Sequence, residues 1–429
     1  MSTEFLKGGG SKLGLRMDSP GEYQVSGYTA SLDITKVYEL PFTTESFNPT
    51  GEFINSNAIA GSRARGIGCI GNKAGDGSFD TEVTIGNFLY LMYAALGKVA
   101  AVDNIDPLGD IILVHSPDDL PSYDVYIKHG GTNETIIKFE ECTVSSLRMS
   151  FVSNSLLTAS IDWSGKRRAA DSYTDGDAVA VGDIIRGSDG NIYICDAAIE
   201  TYAAATHLPI TGASYADYWE LGLGTTYFEP FSSEQVFICP IRIGTEILLE
   251  NSDAGLTAFN LLPFTTALEL TISNGLDTDT NSLDASGRLA ILSGEFSVTG
   301  SLTFLVPKHT SGADAEQDSF NELLAELDIG TLFGTELRVY LYKDETDGVG
   351  NTDKEYYVLK LHNVYATQPI HDITDRGKVA YRVDFQAVSD PDAYVSGSFY
   401  EEPIEVDYVE DAPVADNQMF LPIEYTLDI

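Results

Sequence analysis

The sequence predicts a mainly β protein built twice over, each unit a β-sandwich or small barrel carrying one α-helix. Three observations predict it. The pentapeptide LPFTT occurs at Leu40–Thr44 and again at Leu262–Thr266, which sets an offset of 262 − 40 = 222. The same offset carries Lys138-Phe139-Glu140-Glu141-Cys142 onto Lys360-Leu361-His362-Asn363-Val364, and Ile161-Asp162-Trp163 onto Val383-Asp384-Phe385. The interval between these two landmarks is also kept, with 161 − 138 = 23 and 383 − 360 = 23.

Both copies present the same elements in the same order. Alternating apolar positions in TASLDITKVYEL, and in RIGTEILLE and TALELTIS, give strands of period two. A Gly-Ser strand entry follows, Gly77-Ser78-Phe79 in one copy and Gly300-Ser301-Leu302 in the other, and GSRAR from Gly61 parallels SGRLA around Arg288. One helix comes next. In GNFLYLMYAALG, Phe88, Leu91, Met92 and Ala95 fall on one face, and Gly97 suits the C-terminal cap. In QDSFNELLAELD, Ser319 can cap the N-terminus and Phe320, Leu323, Leu324 and Leu327 form the stripe. A hairpin with a Gly130-Gly131 turn and the strand LLTASIDW close the first unit. Val125-Tyr126-Ile127 matches Val339-Tyr340-Leu341, with a longer loop in the second copy.

The predicted boundaries are an N-terminal arm over 1–29, a first unit over 30–165, an insert over 166–223, a second unit over 224–390 and a C-terminal arm over 391–429. The insert has no counterpart in the second copy. Its Val181-Gly182-Asp183-Ile184, Gly190, Tyr193, Pro209 and Trp219-Glu220-Leu221 resemble the small chitin- and cellulose-type carbohydrate-binding modules. That resemblance implies sugar stacking by Tyr193, Tyr218 or Trp219. The competing expectation is that Tyr193 and Trp219 form the core, because so small a domain has little else to bury.

With 65 acids against 25 bases, the net charge is −40. That balance opposes nucleic-acid binding through phosphate contacts and docking on anionic lipid. No apolar run is long enough to cross a membrane as a helix, and the N-terminus lacks the apolar core of a secretory signal. Cys69, Cys142, Cys195 and Cys239 are scattered singles without metal spacing, expected as buried small hydrophobes. The six histidines also lie apart, and His371 beside Asp372 points the opposite way along an extended chain. GGGSK lacks the spacing of a phosphate loop. Asp277, Asp279 and Asn281 begin like a calcium loop, but Ser282 and Arg288 occupy the positions that need Gly and Glu. No catalytic, cofactor or metal site is expected, so the chain reads as a non-enzyme. A glycoside hydrolase with paired carboxylates is the enzymatic alternative.

The ordered motifs resemble a known family. GSRARGIGCIGNKAGDGSFDTEV followed by GNFLYLMYAALG, and GEFSVTGSLTFLV followed by DSFNELLAEL, look like the major tail tube proteins of long-tailed phages. The tandem copies resemble the fused, two-domain type found in non-contractile, siphovirus-type tails. The resemblance implies a virion structural protein, made in the host cytoplasm and self-assembling into stacked rings. The rings would be trimers of pseudo-sixfold symmetry, with the insert outside. It implies tape measure, tail tip and tail terminator proteins as partners, double-stranded DNA in transit through a negative lumen, no membrane, and a host surface glycan for the insert. The alternatives are a minor ring-forming tail component and an extracellular glycan-binding or surface-layer protein.

Overall fold

The computed structural model describes residues 11–19, 28–32, 37–56, 66–102, 111–116, 120–129, 135–152, 155–168, 173, 175–187, 192–195, 197–221, 228–230, 243–251, 255–260, 265–280, 288–305, 335–346, 352–366, 370–375, 378–388, 403–410 and 423–427. The first part holds β1 (Lys12–Ser19), β2 (Tyr28–Leu32), β3 (Val37–Leu40), β4 (Thr44–Glu45), β5 (Asn48–Ser56), β6 (Gly66–Glu82), α1 (Ile85–Leu96), β7 (Gly97–Val102), β8 (Ile111–His115), β9 (Ser122–His129), β10 (Thr135–Val152) and β11 (Thr158–Gly165). After β12 (Arg167–Arg168), the insert supplies β13 (Ile184–Arg186), β14 (Ile192–Cys195), α2 (Ala204–His207) and β15 (Trp219–Leu221). The remainder is β16 (Phe228–Pro230), β17 (Ile243–Asn251), β18 (Gly255–Asn260), β19 (Thr265–Ser273), β20 (Ser297–Leu305), β21 (Thr335–Thr346), β22 (Thr352–Ala366), β23 (Ile370–Asp375), β24 (Lys378–Ala387), β25 (Ile404–Glu410) and β26 (Ile423–Leu427). The protein is mainly β, as the periodicity predicts.

The landmark residues pair in the same register in both halves. Gly77, Ser78 and Phe79 of β6 face Trp163, Asp162 and Ile161 of β11. Gly300, Ser301 and Leu302 of β20 face Phe385, Asp384 and Val383 of β24. Likewise Val144 of β10 faces Trp163, and Ala366 of β22 faces Phe385. The hairpin of β9 and β10 differs from that of β21 and β22 by a shift of two positions, which keeps every side chain on its face.

One sheet therefore runs β4/β5, β6, β11, β10, β19, β20, β24 and β22/β23, the same four strands in the same order twice. The two sets join where β10 pairs with β19, from Ser146 opposite Ser273 to Val152 opposite Ala267. Second layers lie behind the sheet, β3, β1, β9 and β10 in the first half and β18, β17, β21, β22 in the second.

Between the layers sits one large apolar core. Phe79, Ile161, Trp163, Leu147, Leu270, Ile272, Leu302 and Phe385 point into it from alternate strand positions. Thr84 starts α1 with a reciprocal capping box to Asn87, and Gly97 ends it in the left-handed conformation, as expected. The predicted one-sided stripe of α1 is incomplete. Tyr90 and Tyr93, on its supposedly outer face, are fully buried as well. The cause is tertiary: Tyr90 packs on Tyr38 and Tyr123 of the first half, while on the other face Phe88 packs on Tyr357 and Asn274 donates to the carbonyl of Ala95, both from the second half. The second helix, with Ser319, Phe320, Leu323, Leu324 and Leu327, lies outside the described residues.

Two further expectations change. Residues 12–19, placed in an N-terminal arm, form β1, and its Leu13 and Leu15 have no exposure. The apolar alternation of Leu13, Leu15 and Met17 selects that strand despite the glycines ahead of it. Part of the expected C-terminal arm is also built in. β25 lies between β22 and β8 with Ile404 and Val406 fully buried, and β26 pairs with β2.

Candidate functional site

Among the described side chains, the face of the eight-stranded sheet turned away from the core is mostly polar, with Val152 on β10 and Tyr365 on β22 as exposed exceptions. Strand alternation sets this directly, because most buried residues are flanked by outward Ser, Thr, Asp, Glu, Arg or Gln. Ser78 and Asp80 on β6, Ser160 and Asp162 on β11, and Ser146 and Arg148 on β10 form the first half of the face. Glu269 and Thr271 on β19, Thr299 on β20, and Arg382, Asp384 and Gln386 on β24 form the second. A shallow groove of about 500 Å³ crosses the junction between halves, lined among others by Arg148, Glu269, Tyr365, Arg382 and Asp384.

The charges on this face are held locally. Arg148 pairs with Glu269 at 3.0 Å across the β10–β19 junction, and Arg382 pairs with Asp384 at 3.0 Å. Ser146 donates to Asp162 at 2.7 Å. Hydrogen bonds from Ser160 and Thr44 hold the Asp80 carboxyl below its usual range. Among the described residues of these strands, six acids on this face (Asp76, Asp80, Glu82, Asp162, Glu269, Asp384) accompany two bases (Arg148, Arg382). The acids thus keep the excess that composition predicts. No cluster of three metal-ligating side chains occurs among the described residues.

On the opposite side of the molecule the insert is fastened by a buried charged network. Lys138 contacts Asp183 at 2.8 Å and Asp124 at 3.2 Å, and Arg16 pairs with Asp124. Arg16 also donates to the carbonyl of Val181, and Tyr126 donates to the carbonyl of Gly182 at 2.7 Å. Gly182 has φ +84, and a Cβ there would lie 1.7 Å from Arg16 Nη1, so only glycine fits. Burial alone would lower the Lys138 pKa, but the carboxylates of Asp124 and Asp183 push it up to about 12. Val37, Tyr126 and Ile136 pack on Ile184 and Ile194 beneath this network. The motif read as a sugar-module signature, Val181 to Ile184, is thus part of the insert's anchor.

Tyr193 and Trp219 are each 5% exposed and belong to the insert's own core with Val179, Ile185, Ile199 and Tyr202. Tyr218 packs against that core and meets His207 edge-on at 5.0 Å between ring centroids. Of the three, Tyr218 alone keeps part of its side chain accessible. Cys142 and Cys195 are buried and outside any disulfide, as expected of small hydrophobes, and burial pushes the Cys142 thiol up. Cys239 lies outside the described residues, as do Asn281 and Ser282 of the calcium-like loop.

Sequence patterns missed Arg16, Asp124 and Arg288. Arg288 makes two bonds to Asp76, one of 2.9 Å, and one of 3.1 Å to the carbonyl of Gly165, clamping the second half to the first. A repeat of like residues gives no signal for contacts between the copies.

Residues 10–206 match the phage tail tube protein family. The match spans the first half and most of the insert, and it includes β1, placed above in the body of the molecule. It supports a structural tail tube component. No curated protein matches the chain.

Proposed function

We propose that the chain is a fused, duplicated tail tube subunit that assembles into stacked trimeric rings of pseudo-sixfold symmetry. The single observation that carries this reading is the β10–β19 junction. It joins two sets of four strands that share order and register, so the chain already contains one lateral contact of a ring. Repeating a heterologous contact around an axis closes a ring and removes the exposed sheet edges. Three chains then supply six such units. The duplication runs from β1 to β11 and from β17 to β24, with residues 166–223 as an insert.

The polar face lines the lumen in this reading, and the acid excess suits a channel through which double-stranded DNA slides. A basic wall would hold DNA by counterion release, and a negative one does not. The insert is anchored on β1, β9 and β10, behind the second layer, so it decorates the outside. Tyr218 is its candidate contact for a host surface glycan. In the virion, the tube's partners are the tape measure, tail tip and tail terminator proteins. Made in the host cytoplasm, the subunit has no catalytic role. A minor ring-forming tail component would use the same junction.

Negative-stain electron microscopy of the chain expressed alone, with sedimentation, tests the reading. Three-lobed rings or tubes with a central hole are expected. A chain that stays monomeric at high concentration and binds chitin or cell-wall glycan overturns it in favour of a glycan-binding protein.

A further inference from the structure

Among the described residues the two ends of the eight-stranded sheet are open, and the chain itself states how they should meet. β10 faces β11 with Met149 opposite Ala159 and Ser150 opposite Thr158. β23 faces β24 with His371 opposite Tyr381 and Asp372 opposite Ala380, and the repeat offset of 222 relates each of these pairs to its β10–β11 counterpart. At the other end, Asn48 of β5 faces Asp76 and Ser46 donates to the Ser78 carbonyl at 2.9 Å. Thr271 faces Thr299 and Glu269 faces Ser301, which are the same pairs moved on by an offset of 223. So β23 holds the place of β10, and the edge from Glu45 to Asn48 holds the place of β19. Among the described residues neither outer edge has a strand partner.

The first edge carries a further device. Ser46 N–H points at β6, so by strand alternation Phe47 N–H points outward, where a neighbouring strand would accept it. Instead, the carboxylate of Glu45 accepts that N–H at 3.2 Å. An outward N–H on an open edge is a template for uncontrolled pairing, and a charged side chain folded over it blunts that edge.

Resting on the ring reading above, we propose that a second copy's β23 pairs antiparallel with this edge in the register of the internal junction, displacing the Glu45 carboxylate from Phe47 N–H. The register follows by arithmetic from Met149 opposite Leu270 and Ser150 opposite Glu269. With 149 + 222 = 371 and 270 − 223 = 47, His371 faces Phe47. With 150 + 222 = 372 and 269 − 223 = 46, Asp372 faces Ser46. Glu45 acts as a latch that keeps free subunits from pairing early.

Cysteine pairs in the full-length chain test the register. Ser46→Cys with Asp372→Cys is expected to give, on oxidation of assembled tubes, covalent species up to a trimer on a non-reducing gel. Either single variant, with no thiol facing it across the contact, is expected to stay monomeric on that gel. A ladder from Ser46→Cys with Ile370→Cys or with Thr374→Cys, and none from the first pair, overturns the register while microscopy still shows tubes. Absence of rings and tubes from the native chain overturns the ring reading itself. For the latch, Glu45→Ala is expected to lower the concentration at which tubes appear severalfold, with an unchanged circular dichroism spectrum. An unchanged or higher threshold in a folded variant overturns the latch.

Discussion

Gly300 lies opposite Phe385 in the sheet, and the phenyl ring occupies the space where a side chain of residue 300 would sit. A Cβ on Gly300 would come within 2.4 Å of Phe385 Cζ and 2.4 Å of the Glu269 carbonyl oxygen. The equivalent position in the first copy holds Gly77 opposite Trp163, again a glycine facing an aromatic residue. Gly300→Val must push the ring out of its place in the core. Overpacking of this kind costs about 1–3 kcal/mol. The expected result is a lower urea midpoint, restored in part by Gly300→Val with Phe385→Leu. A midpoint equal to the native one would show that the ring moves freely.

The buried network around Lys138 gives a second prediction. Removing one partner of a buried ion pair leaves the other uncompensated and costs about 3–5 kcal/mol, and here Arg16 still holds Asp124 so Asp183 bears most of the loss. Lys138→Met leaves Asp124 and Asp183 without that cation, so the insert should loosen and its loops become accessible to protease. The pH dependence follows from the raised pKa of about 12 against 10.5 for a free lysine. A cation held above its unfolded value contributes stability in full below pH 10.5, and that contribution disappears as pH rises toward 12. The difference in urea midpoint between native and Lys138→Met chains should therefore be constant from pH 8 to 10 and shrink above it. A difference that does not change up to pH 12 would remove the network from the account.

Two arginines make ion pairs between the halves, yet they should behave differently. Arg288 has a side chain 14% exposed and makes two bonds to Asp76 and one to a carbonyl. Arg148 is 57% exposed and makes one contact with Glu269. Hydrogen bonds to charged groups in partly buried sites contribute about 1.5–3 kcal/mol each, whereas exposed pairs contribute about 0–1 kcal/mol. Arg288→Ala should lower the unfolding midpoint measurably and Arg148→Ala should not. Equal effects would mean that burial does not separate the two sites.

How much of this was legible in the sequence depends on whether the interactions were local or tertiary. Ile161-Asp162-Trp163 and Val383-Asp384-Phe385 announce themselves because a strand with one buried face repeats at every second position. Their shared register with the Gly-Ser strands follows from the same alternation. The polar face was implicit too, as the other half of that pattern, although nothing local ties Arg148 to Glu269 across 121 residues. The full burial of α1 depends on Tyr38 and Tyr123 on one face and on Tyr357 and Asn274 of the other half on the other, all distant in sequence, so its periodicity could show only one stripe. Val181 to Ile184 looked like a sugar-module motif because its partners Arg16, Tyr126 and Lys138 lie 165, 56 and 45 residues from their contacts.

The charge of the polar face yields the prediction closest to function. Among the described residues, six acids and two bases leave it net negative, and each base is already paired with a neighbouring acid. Exposed charges act over roughly 10 Å at about 0.1 M salt, so DNA close to the wall would meet repulsion. Asp162→Lys with Glu269→Lys removes two acids and adds two bases on strands whose backbone pairing is untouched. Tubes of the native chain should release short double-stranded DNA at about 50 mM salt in a sedimentation assay. Tubes of the double variant should retain it at about 50 mM and release it by about 200 mM, because binding through phosphates falls steeply with salt. If native tubes held DNA as firmly as the variant, the acids would not be facing the path of the genome.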